Sequence, residues 1–295
     1  MHKTPPLLVV SSLLIMAVSS GQATAADTGS AQWGLGIHSG QVSYPANQNV
    51  LARDLDGNQV IAKVHLRIDD TFVLLFPDGQ LATQPAANVQ STSKPFVAID
   101  KQAFARSLLT SLPSENGWKT RSTRNYLFVY NTTAEFALAT SRILETMLPG
   151  IRKFSENQKI PTSDPLVPMA LIMFATEHEF RAYRPVARGD RAYYEPVSNR
   201  VVLYQEQRNA AGLKPELAIQ QSISTIAHEG AHQILHNIGV QQRLSYWPMW
   251  ISEGLAEYYA PTSFGKRLGW KGAGQVNDLR MFELELYLKS GDSDR

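Results

Sequence analysis

The chain has 295 residues, 43% of them hydrophobic and 18% charged, with a formal net charge of +2. That balance belongs to a globular protein of one large or two smaller domains. No run of like charge is long enough for a nucleic-acid footprint. The absence of cysteine excludes disulfides and thiolate chemistry, so His and carboxylates must hold any metal.

Taken in chain order, His2 and Lys3 precede an apolar core from Leu7 to Val18, and Ala23-Thr24-Ala25 fits the small-x-small cleavage rule. Residues 1–25 are therefore expected to be a secretory signal. Its apolar run is too short to span a bilayer comfortably. The expected product is a secreted or periplasmic protein with no stable membrane span after cleavage.

From Trp33 to Pro77 the residues alternate, most clearly over Val60–Ile68, and Asp56-Gly57 and Pro77-Asp78-Gly79 mark turns. This predicts a small β domain. The polar stretch Gln80–Pro95 reads as a linker, which makes 26–95 one unit and 96–295 a second. In the second unit, Ile99–Leu112 suggests a short helix and Tyr126–Tyr130 a strand. Thr132 and Glu135 form a predicted capping box for a helix running to about Phe154. Met169–Ala175 reads as a central strand. Thr176 and Glu179 predict another capping box. Arg191–Tyr194 and Arg200–Tyr204 flank Pro196-Val197-Ser198-Asn199, a predicted hairpin. Pro215 opens a helix to about Gly239, and a further helix begins near Pro248. His38, His65 and His178 stand isolated and read as ordinary surface or packing residues. Arg181, Arg184, Arg188 and Arg191 read as a solvated basic face. The fold class expected is α+β.

His228-Glu229-Gly230-Ala231-His232 is the HExxH pattern. Positions four apart share a helix face, so both imidazoles can grip one cation, and Glu229 lies close enough to act as general base towards its water. Ile219, Ile223, Ile226, Gly230 and Ile234 form a stripe on the opposite face. Glu253 and Glu257 sit four apart on the next helix, where like charges repel mildly. A metal accounts for the pair. Glu253 becomes the third ligand, and Glu257 a hydrogen-bond acceptor for a ligand imidazole. Leu235 and Ile238 stand where a metzincin needs Gly and His. Two His and one carboxylate also suit non-haem iron, but the embedded Glu229 favours zinc and hydrolysis.

The stretches Thr225–Gln233 and Trp250–Tyr258 resemble the gluzincins, the superfamily of thermolysin-like peptidases and zinc aminopeptidases. They are similar in particular to bacterial peptidase-MA-like domains, in which a hairpin like Ala192–Tyr204 precedes the zinc helix. The resemblance covers Trp118 to about Ala260. It implies Zn2+ on His228, His232 and Glu253, with Glu229 as base and a peptide or protein substrate. It also implies that the strand Val201–Tyr204 borders the cleft, where an extended peptide could add to it. The resemblance leaves the oxyanion donor open among Tyr193, Tyr194, Tyr258, Tyr259 and Tyr287. Two other functions are open: a catalytically weak scaffold with this fold, and a zinc amidase acting on cell-wall material.

Overall fold

A computed structural model describes residues 35, 40–45, 47–113, 117–205, 215–245, 247–263 and 269–289. The expected signal at 1–25 lies outside the described residues. Among those described, no helix is long and apolar enough to cross a membrane. The chain is a mixed α/β protein with several sheets.

The first sheet holds β1 (Val42–Ser43), β2 (Asn49–Arg53), β3 (Gln59–Ile68), β4 (Thr71–Leu75), β5 (Leu81–Pro85) and β6 (Gln90–Thr92). Its order is β5-β4-β3-β2-β6, with β1 on the far end of β3, and all pairs are antiparallel. The predicted linker at 80–95 is thus corrected: it supplies both edge strands and a 3-10 turn at Ala86–Asn88. Edge strands pair through their backbones, so they need little apolar patterning and are often short and polar.

One irregularity breaks the alternation of β3. Val64 opposes Leu74 and Leu66 opposes Val73, which leaves His65 as the extra residue of a bulge. A bulge shifts the side-chain parity of its strand. Accordingly Ala62 and Val64 join one apolar cluster with Val50 and Leu74, while Leu66 and Ile68 join another with Val73, Leu81 and Val197.

The second sheet holds β7 (Lys119–Ser122), β8 (Tyr126–Tyr130), β9 (Met169–Phe174), β10 (Ala192–Glu195) and β11 (Arg200–Tyr204), in the order β10-β11-β9-β8-β7. Strands β8, β9 and β11 are parallel, and both edges are antiparallel. Every residue of β8 and β9 is buried, as expected for strands covered on both faces. Helices α1 (Lys101–Thr110) and α3 (Glu177–Tyr183) cover one face, packing on Leu127, Val129, Ala170 and Ile172. Helices α2 (Ala134–Asn157), α4 (Pro215–Asn237) and α5 (Met249–Tyr259) cover the other, packing on Phe128, Leu171, Val201 and Leu203. A two-stranded ribbon of β12 (Thr262–Ser263) and β13 (Gly269–Trp270), then α6 (Asp278–Lys289), complete the described chain.

Local chemistry explains the helix starts. Asp100 caps α1 by accepting from the amides of Gln102 and Ala103. The predicted box at Thr176 and Glu179 has both of its hydrogen bonds. The one predicted at Thr132 and Glu135 is corrected by one residue: Thr133 is the cap and accepts from Phe136. The strand expected to border the cleft is also corrected. Strand β11 lies inside the sheet, and β10 is the edge.

The two sheets meet at a buried cation. Arg243 donates from Nε to Pro196 O at 2.6 Å, from Nη1 to Gly79 O at 2.9 Å and from Nη2 to Val197 O at 2.8 Å. It thereby ties the β4–β5 turn to the β10–β11 turn. His65 Nε2 lies 2.8 Å from Arg243 O. Burial pulls the His65 pKa down to about 4 against the help of that hydrogen bond. Burial also pulls His236, in the last turn of α4, down to about 3, and the charges of His232 and Arg243 add to this. The unfolded chain takes up protons at both rings below its ordinary value of 6.5, and the folded chain does so only near 4 and 3. Folding stability is therefore expected to fall as the pH drops through that window. Urea midpoints measured between pH 7 and pH 4 should show a shallower decline in His65→Gln than in the native chain. Equal slopes in both would contradict this.

Candidate active site

Helix α4 carries the HExxH residues, and over residues 221–237 every side chain is buried or half-buried. Ile223, Ile226, Ala227, Ala231, Ile234, Leu235 and Ile238 are each less than 5% exposed. The stripe predicted from isoleucine spacing is present at Ile223, Ile226 and Ile234, and the side chain of Ile219 lies outside those described. Gly230 permits the approach of α4 to α2, since a Cβ there would come within 2.2 Å of Leu144 Cδ2. Gln233, next to His232, donates to Ala170 O at 3.2 Å and Asn199 O at 2.8 Å, and so pins the helix to the sheet.

On the remaining face His228 and His232 stand one turn apart, with ring centroids separated by 4.9 Å. Glu253 reaches them from α5. Its Oε2 lies 3.0 Å from His228 Nε2 and its Oε1 lies 3.5 Å from His232 Nε2. One ligand atom from each of the three lies within 4.8 Å of the others. The Glu253 side chain is 52% exposed, so the group is open to solvent on that side.

Glu229 faces the edge of the sheet. Its Oε2 accepts the backbone N–H of Tyr194 on β10 at 2.7 Å, which fixes the carboxylate beside the histidines. Glu257 lies one turn beyond Glu253, with Oε1 3.2 Å from His228 Nδ1, a contact whose angle falls outside hydrogen-bond geometry. Asn277 Nδ2 donates to Glu257 Oε2 at 3.0 Å, and Arg280 donates to Oε1 from Nε at 2.9 Å and Nη2 at 2.7 Å. The sequence reading missed Asn277 and Arg280. They approach Glu257 only because the ribbon and α6 fold back onto α5, and no spacing rule announces that return.

The electrostatics follow from this crowding. Burial opposes charge on His228, but the hydrogen bond to Glu253 and the adjacent carboxylate of Glu257 outweigh it and raise its pKa to about 10. Burial likewise opposes charge on the two carboxylates. Contacts with His228 and His232 nevertheless push Glu253 far below the usual carboxylate range, and the adjacent His228 together with the hydrogen bonds from Arg280 brings Glu257 down to about 2. Both carboxylates therefore remain anionic through neutral pH, each in contact with an imidazole.

The tyrosines separate into groups. The Tyr194 hydroxyl donates to Asn199 Oδ1 at 3.0 Å, with its ring stacked on His236. Tyr193 packs on Phe180, on the opposite face of the sheet. Tyr259 is only 2% exposed, against Phe154. Tyr258 and Tyr287 are 44% and 47% exposed. Of the basic residues before the hairpin, Arg181 pairs with Glu177, Arg184 with Glu195, and Arg191 donates to Gln221. These three contacts tie the residues to their own neighbourhood.

Residues 222–295 match a family profile described as "Protein of unknown function (DUF1570)". The matched region begins just before His228 and takes in α5, Asn277 and Arg280. No functionally curated protein matches the chain.

Proposed function

We propose that this chain is an exported zinc-dependent hydrolase of peptide bonds, with His228, His232 and Glu253 as metal ligands and Glu229 as general base. The supporting observation is the grouping of three ligand atoms within 4.8 Å of one another, with a carboxylate held at 2.7 Å on the neighbouring strand edge. Two imidazole nitrogens and one carboxylate oxygen, open on one side, form a donor set that suits catalytic zinc. Bound there, zinc would supply acidity to a water and polarise a carbonyl.

The chain's own residues account for the rest. Glu229 takes a proton at a carboxylate oxygen and returns it to the leaving amine. The Tyr194 amide holds that carboxylate in one orientation. Glu257 bears on His228 from behind, while Asn277 and Arg280 fix Glu257 in place. Tyr194 turns its amide away from β11, and strand periodicity turns Ala192 the same way. The outward edge of β10 can therefore pair with an extended substrate beside Glu229.

A second reading, a catalytically weak scaffold, draws support from the engagement of the Tyr194 hydroxyl by Asn199. A broad peptide library and cell-wall fragments, each offered to the zinc-loaded chain, separate the readings. Peptide cleavage supports the first, and silence with a filled site supports the second. Turnover of wall fragments alone indicates an amidase. Elemental analysis tests the metal directly, with about one zinc per native chain expected. Glu253→Ala should weaken zinc by more than the roughly 10–100-fold that loss of an outer hydrogen-bond partner costs. A native chain without stoichiometric metal removes the proposal.

A further inference from the structure

The fold makes use of Trp118 and Trp270 and leaves Trp250 unused. Trp118 donates its indole N–H to Pro113 O at 2.8 Å and packs edge-on against Phe174. Trp270 donates to Tyr259 O at 2.7 Å and covers Gly150 so closely that a Cβ there would collide with its ring. Trp250 makes neither kind of contact among the described residues and is 76% exposed. Its neighbour Met249 is 77% exposed. Large apolar side chains exposed singly are ordinary, but adjoining ones mark a surface that binds something.

Both residues belong to the first turn of α5, where Pro248 O accepts from the amides of Ile251 at 2.9 Å and Ser252 at 3.2 Å. Trp250 and Met249 stand three and four positions before Glu253, and Glu257 stands four after it. Helical spacing puts all four on one face. That face presents the Glu253 side chain, which is 52% exposed, so the apolar pair borders the open side of the three-ligand group. The surface continues past the site. Most of the large apolar side chains exposed among the described residues lie between Trp247 and Leu288, the segment that supplies Glu253, Glu257, Asn277 and Arg280. The helical rise places Met249 and Trp250 about 4.5–6 Å from Glu253 along the axis. An extended chain advances about 3.3 Å per residue. A peptide crossing the ligands therefore meets the pair within about two residues.

We propose that Trp250 and Met249 form an apolar subsite that selects peptide substrates with a large aromatic or branched aliphatic side chain within about two residues of the bond to be cut. The inference rests on the hydrolase reading given above. The position of Glu253 favours a peptide over a lipid surface. A bilayer pressed against the pair would cover that half-exposed anionic carboxylate one turn away, at a high desolvation cost. A peptide brings polar backbone groups to the same place and covers the apolar pair with one side chain. Trp suits this role because its ring offers a large, stiff apolar face at small entropic cost.

Short peptides, blocked at both ends and built of Gly and Ser around a central Phe, Leu, Ser or Glu, are titrated into the full Glu229→Gln chain supplied with zinc. Affinities are read by NMR from the indole N–H of Trp250. The chain has only five tryptophans, and this resonance is assigned by its loss in Trp250→Ser. The Phe and Leu peptides should bind at least about tenfold tighter than the Ser and Glu peptides, a difference within the range of apolar side-chain discrimination. In Trp250→Ser, followed through the backbone amides of Met249 and Ile251, the Phe peptide should fall to the affinity of the Ser peptide. Zinc content and melting temperature should not change, because the ring is exposed. The native chain should cut the Phe peptide beside Phe or one residue away, as read by mass spectrometry. Equal binding of the Phe and Ser peptides, a preference that survives in Trp250→Ser, or cleavage farther from Phe overturns the proposal. So does an indole that responds to phosphatidylglycerol vesicles and to none of the peptides. The two readings fail separately. A native chain that takes up no zinc while the preference persists refutes the hydrolase and supports the apolar recognition. Zinc uptake and cleavage without the preference do the reverse.

Discussion

Glu229→Gln is expected to leave zinc content unchanged and to lower peptide turnover by about 10²–10⁴-fold, the usual worth of a general base. The substitution is nearly isosteric, and the amide oxygen can still accept the Tyr194 N–H that Glu229 accepts at 2.7 Å. The hairpin and the ligand helix should therefore keep their positions, so that the loss falls on kcat and not on folding or metal uptake. Turnover of a cleaved library peptide, measured beside zinc stoichiometry and melting temperature, checks this. Native turnover in a fully loaded variant would remove Glu229 from the mechanism and leave the metal ligands untouched.

The second large effect is on stability. Arg243→Met should destabilise the fold by roughly 3–5 kcal/mol, comparable to breaking a buried ionic contact from one side. The thioether fills most of the space but leaves the carbonyls of Gly79 and Pro196 without their donor, while Val197 O keeps the Leu81 N–H at 2.8 Å. Each buried carbonyl so orphaned costs roughly 1–3 kcal/mol. Urea unfolding of the native chain and the variant gives the difference, and a change below about 1 kcal/mol would show that water replaces the guanidinium readily. The β10–β11 turn carries two of the three carbonyls, and Tyr194 lies just before it. Loosening this clamp should therefore also lower turnover in the variant, with less effect on zinc content.

Much of the local structure was legible because it rests on short-range rules. The box at Thr176 and Glu179, the hairpin around Pro196–Asn199 and the paired helices bearing His228 and Glu253 all follow from residues within a few positions of one another. The errors share a cause. At Thr132–Thr133 two adjacent hydroxyls compete for one cap, and the entry angle of the chain decides between them. At Gln80–Pro95 the side chains signal a linker, and backbone pairing with β4 and β2 makes strands.

The sequence by itself determined which residue types stand one helical turn apart, and hence that two imidazoles share a face and two carboxylates share another. Tertiary structure alone decided that these faces meet, that β10 and not β11 is the sheet edge, and that Asn277 and Arg280 close on Glu257. It also decided that His65, an isolated residue in the sequence, meets the backbone of Arg243 where the two sheets join. The physical reason is range. Helical periodicity and capping act through the backbone over one or two turns. The approach of Arg243 to Gly79 or of Glu253 to His228 depends on which apolar surfaces bury against each other, and that is a property of the whole packed chain.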